Sequence, residues 1–285
     1  MLKKTEYRNP NTMNIDKMSA LEIAQVMQQE NINAALAINT ELESIAEAID
    51  KISERMKKGG RIIYVGCGTS GRLGVLDASE CPPTFGVSKN TVVGVIAGGY
   101  GALVDATEGA EDNFEAGKRD VNALNLTEND TVVGISVAGG AQYVCGALTA
   151  AKEAGALTVA LNSNAGCKIE ELSEIKIHPD TGAEVITGST RLKAGSAHKM
   201  ILNMISTGVM VKMGYVYENL MINLKPTNVK LRDRMIRIVR DITGASERIG
   251  EAILRRRIGL QAEACRILKS DDRVLEWREE WNQKW

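Results

Sequence analysis

The sequence is poor in aromatic residues, proline and histidine. Only 4% of its 285 residues are aromatic, and it contains five prolines and two histidines. Few aromatics together with 27 glycines suit a parallel α/β protein better than a β-sandwich. His178 and His198 are isolated from any carboxylate at a fixed spacing, so they indicate neither a metal site nor a catalytic triad. We expect His198 on a helix surface.

A dominant charge and a long apolar run are also missing. Lys and Arg total 35 against 36 for Asp and Glu, so no basic field predicts nucleic-acid binding. No apolar stretch reaches the ~20 residues of a membrane-spanning helix, and the first residues lack an apolar signal segment. The five cysteines are odd in number and form no C-x-x-C pair, which predicts reduced thiols. We therefore expect a cytoplasmic protein that binds neither nucleic acid nor membrane.

Short apolar runs alternate with helical patterns through the middle of the chain. Strands are predicted at 61–66, 91–97, 131–137, 157–161 and 175–178. The helices between them are predicted near 71–79, 102–118, 141–154 and 168–173. Strands connected by such helices form right-handed parallel crossovers. The fold class is therefore α/β, with a doubly wound parallel sheet of about five strands flanked by helices.

Helical extensions are expected on both sides of this sheet. The N-terminal helices are predicted at 20–29 and at about 32–58. A long apolar helix is predicted from Ser189 or Thr190 to about Met213, followed by helices at 215–221, 229–243 and about 246–257. We divide the chain into an N-terminal arm with helices (1–55), a central domain (56–219) and a C-terminal helical tail (220–285).

A glycine-rich loop follows the first predicted strand. Its glycines let the backbone approach a ligand, and its hydroxyls and the next helix N-terminus offer donors to an anion. The bulky Arg72 after the third glycine, and the lack of an acidic residue closing the second strand, argue against a dinucleotide fingerprint; no Walker A sequence is present. A phosphosugar or another small anion is favoured over a nicotinamide cofactor, with a plain strand-to-helix turn as the simpler alternative. The candidate residues are Gly68, Thr69, Ser70, Gly71 and Arg72.

Two further loops carry weaker signals. The loop after the third strand contains Ser136 and Gly139 and, taken alone, is typical of a structural turn. Before the long helix, Ser189 and Thr190 either cap the helix, a contribution of about 1 kcal/mol, or bind an anion together with Lys193 and the helix dipole. Both interpretations of that loop remain open.

Carboxylates near these loops are candidates for proton transfer. Glu80 precedes Cys81-Pro82-Pro83, where we expect the helix to stop, so its carboxylate is expected close to the end of the first loop. That position makes it a candidate general acid or base. A second group is spaced by threes and fours, which predicts one helix face and, most simply, a solvated acidic stripe. Its members are Asp105, Glu108, Glu111, Asp112 and Glu115.

The string from Gly66 to Gly86, GCGTSGRLGVLDASECPPTFG, closely resembles the N-acetylmuramic acid 6-phosphate etherases. These enzymes belong to the sugar isomerase (SIS) superfamily, together with the glucokinase regulatory protein. The resemblance covers roughly residues 5–245 and implies the SIS fold, a homodimer, and no metal or redox cofactor. It implies a lyase that converts N-acetylmuramic acid 6-phosphate into N-acetylglucosamine 6-phosphate and D-lactate by elimination and hydration, in the recycling of cell-wall amino sugars. The further matching segments are Arg8–Thr12, Ile96–Gly99, Glu108–Asp112, Ile186–Gly195 and Asn219–Met221.

The resemblance also implies roles for single residues. It assigns Glu80 to protonation of the departing lactate, and Glu111 to C2 proton abstraction or water activation. With the first loop, Ser136, Gly139, Ser189, Thr190 and Lys193 are then expected around the phosphosugar.

One loop departs from the family pattern. The family usually has Ser-Gly-Arg-Thr-Pro-Tyr where this chain has Ala138-Gly139-Gly140-Ala141-Gln142-Tyr143. Loss of hydroxyl and charge-assisted hydrogen bonds predicts weaker substrate binding. Two alternatives to an active etherase therefore remain: a non-catalytic phosphosugar-binding regulator, and a sugar-phosphate isomerase.

Overall fold

The computed structural model describes residues 3–105, 107–223 and 229–243. The described residues divide between two compact units: those up to 79 and from 89 to 209 form the first unit, and those from 80 to 88 and from 210 to 243 form the second. The division into segments ending at 55 and 219 stays a prediction. Within the described residues, no helix has both the length and the apolar character that crossing a bilayer requires.

The first unit is built on a five-stranded parallel sheet, as the sequence predicts. Its spatial order is β2-β1-β3-β4-β5, and Gly66 at the end of β1 lies beside Ile96 of β2 and Ile135 of β3. The central strands are buried along their whole length, because helices cover both faces of the sheet. The strands are β1 (Ile62–Gly66), β2 (Val92–Ile96), β3 (Thr131–Ile135), β4 (Leu157–Leu161) and β5 (Ile175–Ile177).

Of the eight α-helices in the described chain, seven precede the hairpin of the second unit. They are α1 (Ala20–Leu36), α2 (Leu42–Lys57), α3 (Gly68–Phe85), α4 (Phe114–Asn122), α5 (Gln142–Glu153), α6 (Lys168–Glu171) and α7 (Lys193–Lys212). The break between the first two lies at residues 37–41, later than the predicted break near residue 30. Burial of Glu30 and Ala34 keeps α1 helical through this stretch, where tertiary packing overrides the low helix propensity of the neighbouring asparagines.

The prediction that α3 stops at Cys81-Pro82-Pro83 is wrong. The helix includes Pro82 and Pro83 and ends at Phe85. Each proline lacks an N–H, so the last turn of α3 forms without two of the usual bonds to the residue four positions earlier. Gly86, the residue after the helix, terminates it: Gly86 adopts a positive φ of 67° and donates its N–H to the Pro82 carbonyl at 2.9 Å.

The predicted helix at 102–118 is also wrong. The chain there forms short 3₁₀ turns at Tyr100–Leu103 and Ala110–Asp112, and α4 begins only at Phe114. Gly109 is left-handed, with φ 71°, and the Asn113 side chain caps α4 by accepting from the N–H of Ala116. The acidic residues of this region therefore do not share one helix face.

The second unit contains a hairpin and a helix. Strands β6 (Val216–Tyr217) and β7 (Leu220–Met221) pair antiparallel where a helix over 215–221 is predicted, so that prediction is wrong. Gly214, with φ 78°, ends α7 before the hairpin. Helix α8 (Val229–Thr243) confirms the prediction for 229–243, and the predicted helix at 246–257 lies outside the described residues.

Candidate functional site

The order of the strands fixes where a ligand site belongs. From β1 the chain moves outward to β2 and then returns to place β3 on the other side of β1, so the strand order reverses between β1 and β3. In open α/β sheets, ligands bind beyond the carboxyl ends of the strands at this point. The glycine-rich loop follows β1 there. A Cβ on Gly71 would lie 2.6 Å from the Gly66 carbonyl oxygen, so glycine lets α3 begin against the strand.

A cavity of about 320 Å³ opens beside this loop, within the first unit. Its volume lies at the lower end of the range of small-molecule sites. Three segments line it: the start of α3, the end of β2, and the loop that follows β2. The lining residues are Cys67, Gly68, Arg72, Ala97, Ala102, Thr107, Glu108, Gly109, Ala110 and Glu111. The structure thus brings together Gly68, Arg72 and Glu111 of the predicted site.

The cavity holds groups of both charges. The Arg72 Nε donates to the Leu103 carbonyl oxygen at 2.9 Å, which ties the guanidinium to the loop after β2. Among the described residues Arg72 forms no ion pair. Glu108 and Glu111 line the same cavity. One cation able to bind an anionic group, with carboxylates able to move protons, suits acid–base chemistry on a phosphosugar.

The environment of the cysteine in this cavity does not favour a role as nucleophile. Burial raises the pKa of the Cys67 thiol to about 12, and the nearby carboxylates of Glu111 and Asp112 add to the shift. The thiol is therefore protonated at neutral pH, while cysteine nucleophiles react as thiolates.

Glu80 has a different environment. It lies in the part of α3 that belongs to the second unit, and its side chain is exposed. It is not among the residues that line the cavity of the first unit. The sequence predicts a helix stop that holds Glu80 near the glycine-rich loop, but α3 continues past that position to Phe85, so the stop does not exist. Its catalytic role stays a prediction.

The glycine-rich loop after β1 lies close to the loop that precedes α7. The Thr69 methyl group lies 3.6 Å from the position that a Cβ on Gly195 would take, and the Thr190 carbonyl oxygen lies 3.3 Å from it. Gly195 donates its N–H to that same carbonyl at 2.9 Å. Ser70, on the first turn of α3, is 9% exposed. Thr69 and Thr190 therefore lie near each other, although they are far apart in the sequence.

The start of α7 does not have the predicted arrangement. The helix begins at Lys193, after a turn in which Leu192 donates its N–H to the Ser189 carbonyl. Its first two N–H groups, of Lys193 and Ala194, donate to the carboxylate of Glu184 at 2.8 and 3.0 Å. This fully buried carboxylate occupies the place where an anion would bind, and burial raises its pKa. The helix is capped, but by Glu184 rather than by a hydroxyl.

The ammonium group of Lys193 is likewise hydrogen-bonded within the protein. Its Nζ donates to the Glu30 carboxylate and, at 2.9 Å, to the Ala183 carbonyl oxygen. Both charged side chains are almost completely buried. A buried ion pair thus already satisfies the charge of Lys193, and its binding of the phosphate stays a prediction. Sequence reasoning missed Glu30 and Glu184, since no local spacing connects residues so distant in the chain.

The loop after β3 forms a tight turn. Ser136 lies at the end of β3, 8% exposed, and its carbonyl accepts the N–H of Gly139 at 2.8 Å. Gly139 has a φ of 68°, and a Cβ there would clash with the Sγ atom of Cys167. Glycine is therefore required at this position by the turn itself, whatever else the loop does.

His198 is fully buried, so the prediction of a surface position is wrong. Its Nε2 lies 3.1 Å from the Ser163 Oγ. Burial lowers the pKa of the His198 imidazole to about 4, which keeps it neutral. No cluster of three or more His, Cys, Asp or Glu side chains suited to a metal ion occurs in the described residues.

Comparison with known proteins decides the family. The family model for the glucokinase regulatory protein N-terminal SIS domain matches residues 44–152. An N-acetylmuramic acid 6-phosphate etherase of Caldanaerobacter subterraneus is 55% identical over 88% of this chain and 82% of its own length. The enzyme of the same name from Pectobacterium atrosepticum is 54% identical over 85% of this chain and 80% of its own length. The chain belongs to the N-acetylmuramic acid 6-phosphate etherase family.

Solved structures support the fold of this etherase-family chain. A phosphoheptose isomerase from Neisseria gonorrhoeae superposes with a TM-score of 0.51 and 18% identity, over 67% of this chain and 98% of its own. The phosphoheptose isomerase from Francisella tularensis gives 0.51 and 15%, over 68% of this chain and all of its own. At such identities the likeness shows a shared SIS-type α/β fold. The predicted fold class is therefore confirmed.

Proposed function

We propose that this etherase-family protein is a lyase that cleaves the D-lactyl ether of N-acetylmuramic acid 6-phosphate. The observation that carries the proposal is its 55% identity, across 88% of the chain, to a relative named for this activity. The cavity containing Arg72 and Glu111 supports it, because an anionic substrate and proton transfer both need such groups. The relatives' names do not favour the regulator or the isomerase.

The reaction joins an elimination to a hydration. In the open-chain aldehyde form of the sugar, the carbonyl makes the C2 proton removable by a base. As that proton leaves, the bond from C3 to the lactyl oxygen breaks and an acid protonates this oxygen, which releases D-lactate. Water then adds across the new double bond, with the hydroxyl on C3 and a proton on C2, to give N-acetylglucosamine 6-phosphate. Each assisted proton transfer contributes typically ~10²–10⁴-fold.

We assign the proton transfers to two glutamates. Glu111 lines the cavity and serves as the base or activates the water. Glu80 serves as the acid that protonates the departing lactyl oxygen. No metal or redox cofactor enters this scheme, because every step moves only protons and a leaving group.

We assign substrate binding to the loops at the carboxyl edge of the sheet. Gly68, Thr69, Ser70 and Gly71 lie on the first turn of α3, where backbone N–H groups suit a phosphate. Arg72 binds an anionic group of the substrate through its planar fork of donors. Ser136, Ser189 and Thr190 complete the set of proposed contacts. The loops hold the substrate in place while the sugar ring opens, which is a positioning role.

We propose further that the protein is a cytoplasmic homodimer. Each chain has a mass of 30.8 kDa, so sedimentation equilibrium is expected to give about twice that mass. A species of one chain mass at micromolar concentration would contradict the dimer without affecting the assignment of the reaction.

The assignment of the glutamates is tested by isosteric variants. In a coupled D-lactate assay with the phosphorylated amino sugar, Glu80→Gln and Glu111→Gln are each expected to lower kcat ~10²–10⁴-fold. The control is Glu115→Gln, because Glu115 belongs to the same acidic stretch but lies exposed on α4 and outside the cavity lining. It is expected to keep near-normal turnover. Normal turnover in both other variants would remove the assignment.

A further inference from the structure

We propose that Lys3, in the N-terminal arm, supplies the cation that holds the substrate phosphate at the loop after β3. The loop itself consists of Ala138, Gly139, Gly140 and Ala141, so its side chains carry neither a charge nor a hydroxyl. This inference rests on the proposed function, because it names a binding residue of the same site.

The position of the Lys3 ammonium group is the first observation. Its Nζ donates to the Ala138 carbonyl oxygen at 2.6 Å. The same nitrogen lies 3.4 Å from the position that a Cβ on Gly140 would take, and apart from the adjacent residues of the loop nothing else in the described chain lies within 4 Å of that position. A distant part of the chain thus brings a positive charge to a loop that has none of its own.

The charge of Lys3 is available to a ligand. Within the described parts of the chain no carboxylate forms an ion pair with it. The adjacent Lys4 differs, because it is paired with Asp180. An ammonium group has three donors, of which Ala138 uses one. The remaining donors and the uncompensated charge suit a phosphate oxygen.

The arm that carries Lys3 is fastened to neighbouring loops. Thr5, two residues along, is completely buried and accepts from the Asn164 side chain at 3.4 Å. The Asn9 side chain donates to the Ala183 carbonyl at 3.3 Å, and the Thr12 hydroxyl donates to the Val185 carbonyl at 2.8 Å. These contacts fix the backbone next to Lys3, so less conformational entropy remains to be lost when its side chain binds a ligand.

The arrangement of the strands puts this charge at the crevice. Neighbouring strands lie about 4.8 Å apart, and β1 and β3 are adjacent, in parallel register. The glycine-rich loop after β1 and the loop after β3 therefore border the same crevice. The Glu111 cavity lies toward β2, on the other side of β1. We infer that the phosphate binds on the β3 side, and that the reacting carbons face the β2 side.

The experiment measures binding of the product N-acetylglucosamine 6-phosphate by calorimetry. Lys3→Met is expected to weaken its binding about tenfold, a loss of about 1.4 kcal/mol, and to raise KM for the ether substrate similarly while kcat changes less than twofold. Binding of the product to Lys3→Met is also expected to depend less on salt concentration than its binding to the wild type. The matched control Lys4→Met, whose charge is paired with Asp180, is expected to bind like the wild type.

A rescue variant separates a ligand from a merely structural lysine. Because Gly140 does not have a positive φ and its Cβ position faces the Lys3 Nζ, an arginine fits there once the lysine is gone. Lys3→Met combined with Gly140→Arg is expected to recover most of the lost affinity. Unchanged affinity in Lys3→Met, equal losses in Lys3→Met and Lys4→Met, or a wild type that binds no phosphosugar would each overturn the proposal. Binding that depends on Lys3 without lactate release would support this proposal and contradict only the proposed reaction.

Discussion

Breaking the buried ion pair between Lys193 and Glu30 tests whether this lysine is structural. The two side chains are 5% and 2% exposed, so the Lys193→Met change leaves a carboxylate buried without its cation. Losing one partner of a buried pair costs typically ~3–5 kcal/mol. Asn11 still donates to Glu30 at 2.9 Å, which favours the lower end. We therefore expect Lys193→Met to lower the free energy of unfolding by about 3 kcal/mol.

A double-mutant cycle in urea makes this test specific. Glu30→Gln alone is expected to cost a similar amount, because it leaves the ammonium unpaired. The double variant is expected to cost no more than either single change, and clearly less than their sum, since no charge is then buried alone. Lys199→Met, on the exposed side of α7, is the control and is expected to stay within about 0.5 kcal/mol of the wild type. A Lys193→Met protein of wild-type stability with tenfold weaker phosphosugar binding would refute the structural role and support a ligand role.

Three further predictions concern His198, Gly139 and Cys67. The folded pKa of His198, about 4, lies below its usual 6.5, so the unfolded chain binds the proton first and stability falls as pH drops from 6.5 to 4. Between pH 7 and 5 the loss in the free energy of unfolding amounts to about 2 kcal/mol. The variant His198→Gln should remove that part of the pH dependence in urea titrations. An unchanged dependence of stability on pH would contradict the prediction. Gly139→Ala is expected to lower stability by about 2 kcal/mol or more, because it combines a positive φ with a clash at Cys167; a loss under 0.5 kcal/mol in urea would contradict this. Because the Cys67 thiol is protonated, Cys67→Ala should retain turnover within about threefold in the lactate assay, and complete loss would show a chemical role.

The sheet and its ligand edge are predictable because the signal is local. Buried parallel strands are continuous apolar runs, so the strands from β1 to β5 follow directly from the sequence. A strand followed by glycines and a helix likewise indicates the edge where ligands bind, and Arg72 and Glu111 do line a cavity there. These features depend on neighbours within a few residues.

The sequence-based predictions fail where residues distant in the chain decide the local conformation. Nothing near Lys193 reveals that Glu30 neutralises it, or that Glu184 caps its helix. The region before α4 has helical spacing of its acids, but the left-handed Gly109 and the Asn113 cap interrupt it. Lys3 lies in a polar segment without a pattern, so only the fold shows that it meets the loop after β3.

Product analysis with the purified protein and N-acetylmuramic acid 6-phosphate is the most direct test of the proposed reaction. The protein is expected to release D-lactate and N-acetylglucosamine 6-phosphate in equal amounts, with no added metal or redox cofactor. In water labelled with oxygen-18, the sugar product is expected to gain one labelled oxygen at C3, because hydration follows elimination. An isomerised sugar without lactate, or binding without any product, would contradict the assignment.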